Sequence, residues 1–200
     1  MRDHFLNLLK LISALVLIPL TAVLTIGFTK SLSELTHSHG HFFWLGVLIY
    51  VIVHVFVYEP RGVYQFGQKL SSSILGFYPP LGDMGARALP IYTILSLMAF
   101  CFVHLFFKKS GYEIYFIFLT GFTLALHLVL TAQELREENK SPLRPNYFLF
   151  IQLIYIFVVL LTSILFTFIV PQYSFATFFY SVLGSIKDIY ATIFHQLFIP

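Results

Sequence analysis

Residues 59–80 read EPRGVYQFGQKLSSSILGFYPP. This stretch decides the fold, because it sits among long apolar runs yet is neither a plain membrane span nor a plain loop. It opens on a charged turn, Glu59-Pro60-Arg61-Gly62. A helix-like pattern follows over 63–78, and Pro79-Pro80 stops it. Its middle, Gln68-Lys69-Leu70-Ser71-Ser72, is polar.

The chain around it is a membrane sequence. Of 200 residues, 58% are hydrophobic and 10% charged, against about 25% charged in soluble domains. The apolar runs are too long and continuous for barrel strands, so the spans are helices. The fold class is therefore an all-α membrane protein in one integral membrane domain, residues 1–200. It has five to six transmembrane helices, a short helix over 63–78 that dips into or spans the bilayer, and an amphipathic C-terminal helix. The single cysteine, Cys101, excludes a disulfide framework or a cysteine metal cluster. A net charge of +3 scattered over loops is no nucleic-acid footprint.

Upstream, residues 11–28 form a first span containing Pro19. Residues 29–41 read as a polar loop holding His37, His39 and His41. The second span is 42–58, with His54 inside it. Downstream, residues 81–89 (LGDMGARAL) read as a Gly-rich connection. Residues 90–107 form a third span, and 113–131 a fourth, containing His127. Residues 132–146 read as the most charged loop, and 147–170 as the fifth span. In 175–199, Ser181, Ser185, Asp188, Thr192 and His195 recur at steps of four and three, one polar stripe on a helix. Such a helix lies in the interface or spans with its stripe against protein.

Lys and Arg set the orientation. If helix 63–78 only dips in, eight of them (Arg2, Lys10, Arg61, Lys69, Arg87, Arg136, Lys140, Arg144) share the side of the N-terminus, and three (Lys30, Lys108, Lys109) oppose them. If it spans, the sides tie at five. Dipping also spares Lys69 a mid-bilayer position, which costs roughly 2.5–3.5 kcal/mol. The expectation is a cytoplasmic N-terminus in a bacterial-type inner membrane. On that topology His54 and His127 lie at similar depth, and His104 lies near the opposite face.

Several residues admit a chemical reading beside a structural one. His37, His39 and His41 alternate and could bind Zn²⁺, Ni²⁺ or Cu²⁺, or belong to a solvated loop. His54 and His127 could ligate a metal or haem, or hydrogen-bond between helices. Glu59-Pro60-Arg61 suits a helix anchor at the interface.

Val63-Tyr64-Gln65-Phe66-Gly67, leading into Gln68-Lys69-Leu70-Ser71-Ser72, resembles bacterial membrane metallopeptidase-like proteins related to the site-2 protease class. In those, a Tyr-Val-Phe-Gly lead-in precedes His-Glu-Leu-Thr-His. Gly121-Phe122-Thr123-Leu124-Ala125-Leu126-His127 is similar to a second helix of that family, and Ala88-Leu89-Pro90-Ile91-Tyr92 to the start of a third. The family's two His bind zinc and its Glu is the general base. The resemblance places Gln68, Ser72 and Lys69 at those positions. Gln and neutral Ser are poor zinc ligands, and a charged Lys accepts no proton. The resemblance therefore implies a metallopeptidase-like scaffold without catalytic residues, zinc or other cofactor. Its partners are membrane lipid and other transmembrane proteins, as a complex subunit or assembly factor. The alternative is a His-based metal- or haem-binding redox or transport protein.

Overall fold

The structure is a computed structural model that describes residues 2–35, 37–57, 60–76, 82–107, 111–139, 145–170 and 172–198. All regular structure among these residues is helical. The helices are α1 (Arg2–Leu35), α2 (His37–Ile52), α3 (Arg61–Leu75), α4 (Gly82–Ala88), α5 (Ile91–Phe107), α6 (Glu113–Asn139), α7 (Pro145–Ile169) and α8 (Phe175–Phe198). A π-helical turn, Val53–Val57, extends α2. Four helices are long and apolar enough to cross a membrane, over Phe5–Leu35, His39–Val57, Glu113–Glu137 and Asn146–Phe168. Ile91–Phe106 is a shorter apolar helix. Large apolar side chains such as Phe5, Ile12, Phe102, Leu105 and Phe168 stand exposed. That surface is consistent with an integral membrane protein, since soluble proteins rarely show so much of it.

Pairs of contacts fix the helix directions. On α2 and α6, His39 lies opposite Glu113 and Gly46 touches Phe118. Beyond them, Arg61 at the start of α3 bonds Glu137. The numbers rise together, so α2 and α6 are parallel. On α5 and α6, Thr93 meets Thr123 and Phe100 meets Phe116, so these two are antiparallel. Lys10 bonds Asn146 and Phe28 packs on Phe166, so α1 and α7 are parallel. Phe28 against Phe178 and Val16 against Tyr190 make α8 antiparallel to α1. One end of the bundle, here the basal end, therefore gathers the start of α1, the end of α2, α3, α4, and the start of α5. The end of α6 and the start of α7 complete it. Of the described Lys and Arg outside α8, Arg2, Lys10, Arg61, Lys69, Arg87 and Arg136 lie toward the basal end, and Lys30 toward the apical end.

The core is built on Phe28. Its ring lies edge-on to Phe43, Phe166 and Phe178 at 5.4, 6.0 and 6.2 Å, tying α1 to α2, α7 and α8. A second cluster joins Tyr50, Tyr64, Ala125, Leu126 and Leu130. Between α2 and α6 the backbones touch. A Cβ on Gly46 would fall 2.1 Å from the Phe118 carbonyl oxygen, and one on Gly121 2.1 Å from that of Phe43. Small residues permit this approach, which strengthens packing where lipid offers no hydrophobic drive. Gly111, at φ 114, turns the chain into α6.

Four segments differ from the sequence expectation. The polar loop expected over 29–41 is helical at both ends: α1 runs to Leu35 and α2 begins at His37. The hydroxyls of Thr29 and Ser33 donate to the carbonyls of Thr25 and Thr29, so their polarity is absorbed inside the helix. The charged loop expected over 132–146 is largely the last two turns of α6, whose Glu134 and Glu137 find partners on α3. The Gly-rich connection at 81–89 contains α4. The helix expected over 63–78 occupies Arg61–Leu75 and starts two residues earlier than its sequence pattern. Glu59, Pro79, Pro80, Lys108, Lys109, Lys140 and Arg144 lie outside the described residues.

Candidate functional site at the basal end

Helix α3 is amphipathic, and its inner stripe is Tyr64, Gly67 and Ser71. Gly67 lets it seat closely. A Cβ on Gly67 would fall 2.6 Å from the Tyr92 ring, and the Tyr92 hydroxyl donates to the Val63 carbonyl at 2.5 Å. Tyr64 reaches across to α6, where its hydroxyl donates to Glu134 Oε2 at 2.9 Å and meets Thr131 Oγ1 at 3.0 Å. Burial, more than any other cause, pushes the Tyr64 phenol above its ordinary range, so it remains a neutral donor. Arg61 Nη2 lies 2.9 Å from Glu137 Oε1 at the solvent edge. Together these bonds latch α3 to the last turns of α6. Beside the latch lies a polar recess of about 140 Å³, bordered by Arg61, Tyr64, Gln133, Glu134 and Glu137.

The residues singled out from sequence distribute around this latch. Gln68 and Ser72 are half-buried on the flank of α3, and Lys69 is exposed. Ser72 Oγ donates to the Lys69 carbonyl at 3.0 Å. His127 is buried on α6, one turn before Thr131, with its ring centroid 6.3 Å from that of Tyr64. Its imidazole meets the backbone of Ala88 and Arg87 on α4, while its Nε2 has no hydrogen-bond partner among the described residues. His54 lies in the π-helical turn and stacks on Tyr50 at 5.7 Å. Such turns are frequent at functional sites. The parallel register of α2 and α6 sets His54 and His127 at one level, as expected. His104, on α5, falls toward the apical end.

At that apical end His39 is buried with Nε2 4.0 Å from Glu113 Oε2, and His41 is exposed. His37 opens α2, and its side chain lies outside the described residues. Among the described residues, no three His, Cys, Asp or Glu side chains are grouped so as to hold a metal ion.

Sequence reading missed two features. The first is the latch: spacing puts Arg61 and Tyr64 on one helix face and Thr131, Glu134 and Glu137 on another, and nothing in the sequence pairs the two faces. The second feature is an apolar groove of about 460 Å³ between α4, α6 and α7. Leu75, Leu89, Leu135, Phe150, Leu153 and Phe157 line it, with Arg87 as its one charged residue. Leu153 and Phe157 are exposed at its mouth. No sequence pattern announces it, because its walls come from four helices. No family model matches the chain, and no curated protein or solved structure matches it either.

Proposed function

We propose that the chain is an integral membrane scaffold that binds transmembrane segments of other membrane proteins, as a complex subunit or assembly factor. Its frame is metallopeptidase-like, and the zinc-ligand and base positions hold Gln68, Lys69 and Ser72. The observation that carries this reading is the apolar groove between α4, α6 and α7, two of whose lining side chains, Leu153 and Phe157, are exposed. At about 460 Å³ it falls within the size of ligand-binding clefts, and it suits large apolar side chains of a helix. The chemistry of α3 agrees: its inner face is taken by the Tyr64 latch, and Lys69 points outward.

The topology supports a cytoplasmic basal end in an inner membrane of the bacterial type. If α3 crossed the bilayer, α2 and α5 would run in the same direction. They run oppositely, which supports an α3 that stays at the basal end, where six of the seven described Lys and Arg outside α8 collect.

A second reading is favoured by the orphaned Nε2 of His127: with His54 at the same level, the pair would serve a haem or metal. Elemental analysis and an absorption spectrum of the protein purified from native membranes separate the two. The scaffold reading expects no stoichiometric metal, no Soret band, and a co-purifying membrane protein that is lost when Leu153→Trp fills the groove. One zinc per chain or a Soret band sinks it.

A further inference from the structure

Helix α3 carries three stripes, each running its full length. At about 100° per residue, Tyr64, Gly67, Ser71 and Leu75 share the face that meets the bundle. Arg61, Gln65, Lys69, Ser72 and Ser73 share a polar face. Val63, Phe66, Leu70 and Ile74 share the remaining one, within about 80° of one another. Val63, Phe66 and Ile74 are exposed, and Leu70 is half-buried. A helix packed on its own bundle with water over the rest has no use for an apolar stripe on its outside.

The direction of α3 follows from its two ends. Arg61 bonds Glu137, and Tyr64 reaches Thr131 and Glu134. Leu75, at the other end, lines the apolar groove with Leu135. Both ends therefore meet the same stretch of α6, although about 20 Å of helix separates them. Since α6 is long and apolar enough to cross the bilayer, a helix set across it at one level lies along the membrane plane. That level is where α6 turns polar, with Gln133, Glu134, Arg136 and Glu137 following Leu130. The stripes agree. A helix plunging through an interfacial layer roughly 5–8 Å deep would change from polar to apolar along its length. On α3 the division runs parallel to the axis: Arg61 and Ser73 are polar near either end, and Val63 and Ile74 apolar.

We propose that α3 is an in-plane interfacial helix, its Val63–Phe66–Leu70–Ile74 edge sunk among the acyl chains and Lys69 holding the headgroup of an anionic phospholipid. Lys69 projects between the polar face and the apolar edge, where a flexible ammonium reaches the phosphate level. Charge selects the lipid. The described acids beside α3 are already engaged, Glu134 by Tyr64 and Glu137 by Arg61. Lys69 and Arg136 are exposed and have no ion-pair partner among the described residues. The apolar edge also continues the exposed rim of Val55, Phe56 and Val57 at the end of α2, so one lipid phase covers both. What the groove binds does not enter this inference.

The test uses the full chain in phosphatidylcholine nanodiscs, with Trp44→Phe as background and Phe66→Trp, Ile74→Trp or Gln65→Trp supplying the single tryptophan. Bromine on the acyl chains quenches tryptophan in lipid, and iodide quenches it in water. Phe66→Trp and Ile74→Trp should be quenched to similar extents by bromines near the headgroups and be shielded from iodide. Gln65→Trp should behave in reverse. Brominated phosphatidylglycerol should bind beside Phe66→Trp about fivefold more tightly than brominated phosphatidylcholine. Lys69→Gln should remove that preference, and Lys69→Arg should keep it. Each variant is checked for an unchanged melting temperature, with Val63→Trp standing in for a reporter that fails the check. Quenching of Ile74→Trp by bromines near the chain ends, with Phe66→Trp quenched only by shallow ones, means a plunging helix and overturns the proposal. So does iodide reaching Phe66→Trp, or its shielding from both quenchers, which places protein or a second copy over the edge. Equal binding of the two lipids, or a preference that survives Lys69→Gln, overturns it as well.

Discussion

Tyr64 shows how much one side chain settles here. Its hydroxyl joins α3 to Thr131 and Glu134, and burial keeps it protonated. Tyr64→Phe should cost about 1–3 kcal/mol by leaving a carboxylate short of a donor. A double-mutant cycle with Glu134→Gln, followed by thermal unfolding in detergent, measures the coupling; strict additivity would mean that the latch carries no energy. Tyr173 makes a parallel pH prediction. Burial pushes its phenol from 10.0 to about 12, opposed by the Ser163 hydroxyl. The folded value is raised, so the stability tied to it is intact below pH 10 and is lost as pH rises toward 12. Melting temperature should be flat from neutral pH to about 9 and then fall, and Tyr173→Phe should flatten that alkaline fall. The sequence alone shows Gln68, Lys69 and Ser72 to be residue types that hold zinc poorly. It could not place Tyr64 opposite Glu134, because that pairing spans 70 positions of chain.

At the scale of elements, apolar runs announced the spans, and polarity misled at their ends. A helix that leaves the bilayer gains polar residues without having to stop. The chain over 29–35 and 132–139 therefore has the polarity of a loop where it is helix. Gly40 packs on Ser33, which closes the α1–α2 corner tightly. The α2–α6 pairing is the sharpest element-level feature. Gly121→Ala or Gly46→Ala would place a methyl group about 2.1 Å from a backbone oxygen, where no flexible side chain can yield. Each should destabilise by about 1–3 kcal/mol, the usual cost of overpacking. Gly184→Ala, on an open face, should be neutral in the isolated chain. Parallel melting curves of the three variants check this contrast.

Over the whole molecule, the contact pairs gather most of the described Lys and Arg at one end of the bundle and put α3, α4 and the groove there. Single cysteines in a Cys101→Ser background test the sidedness. Gln65→Cys on α3 should react with an impermeant maleimide from the cytoplasmic side, and Glu34→Cys at the apical end from the other. Labelling of both from one side would break the topology. In the sequence the charge count stands as two alternatives, eight to three if the helix over 63–78 dips and five to five if it spans. The groove was not legible there, because Leu75, Leu89, Leu135 and Phe157 meet only after four helices have packed. The central claim is that this groove receives a transmembrane helix. A photo-crosslinking residue at Leu153 in native membranes measures that directly. The scaffold account expects adducts with a defined transmembrane segment of a partner protein, abolished when Leu89→Trp occupies the groove. Adducts with lipid alone, or the same protein adducts whether or not the groove is filled, would contradict it.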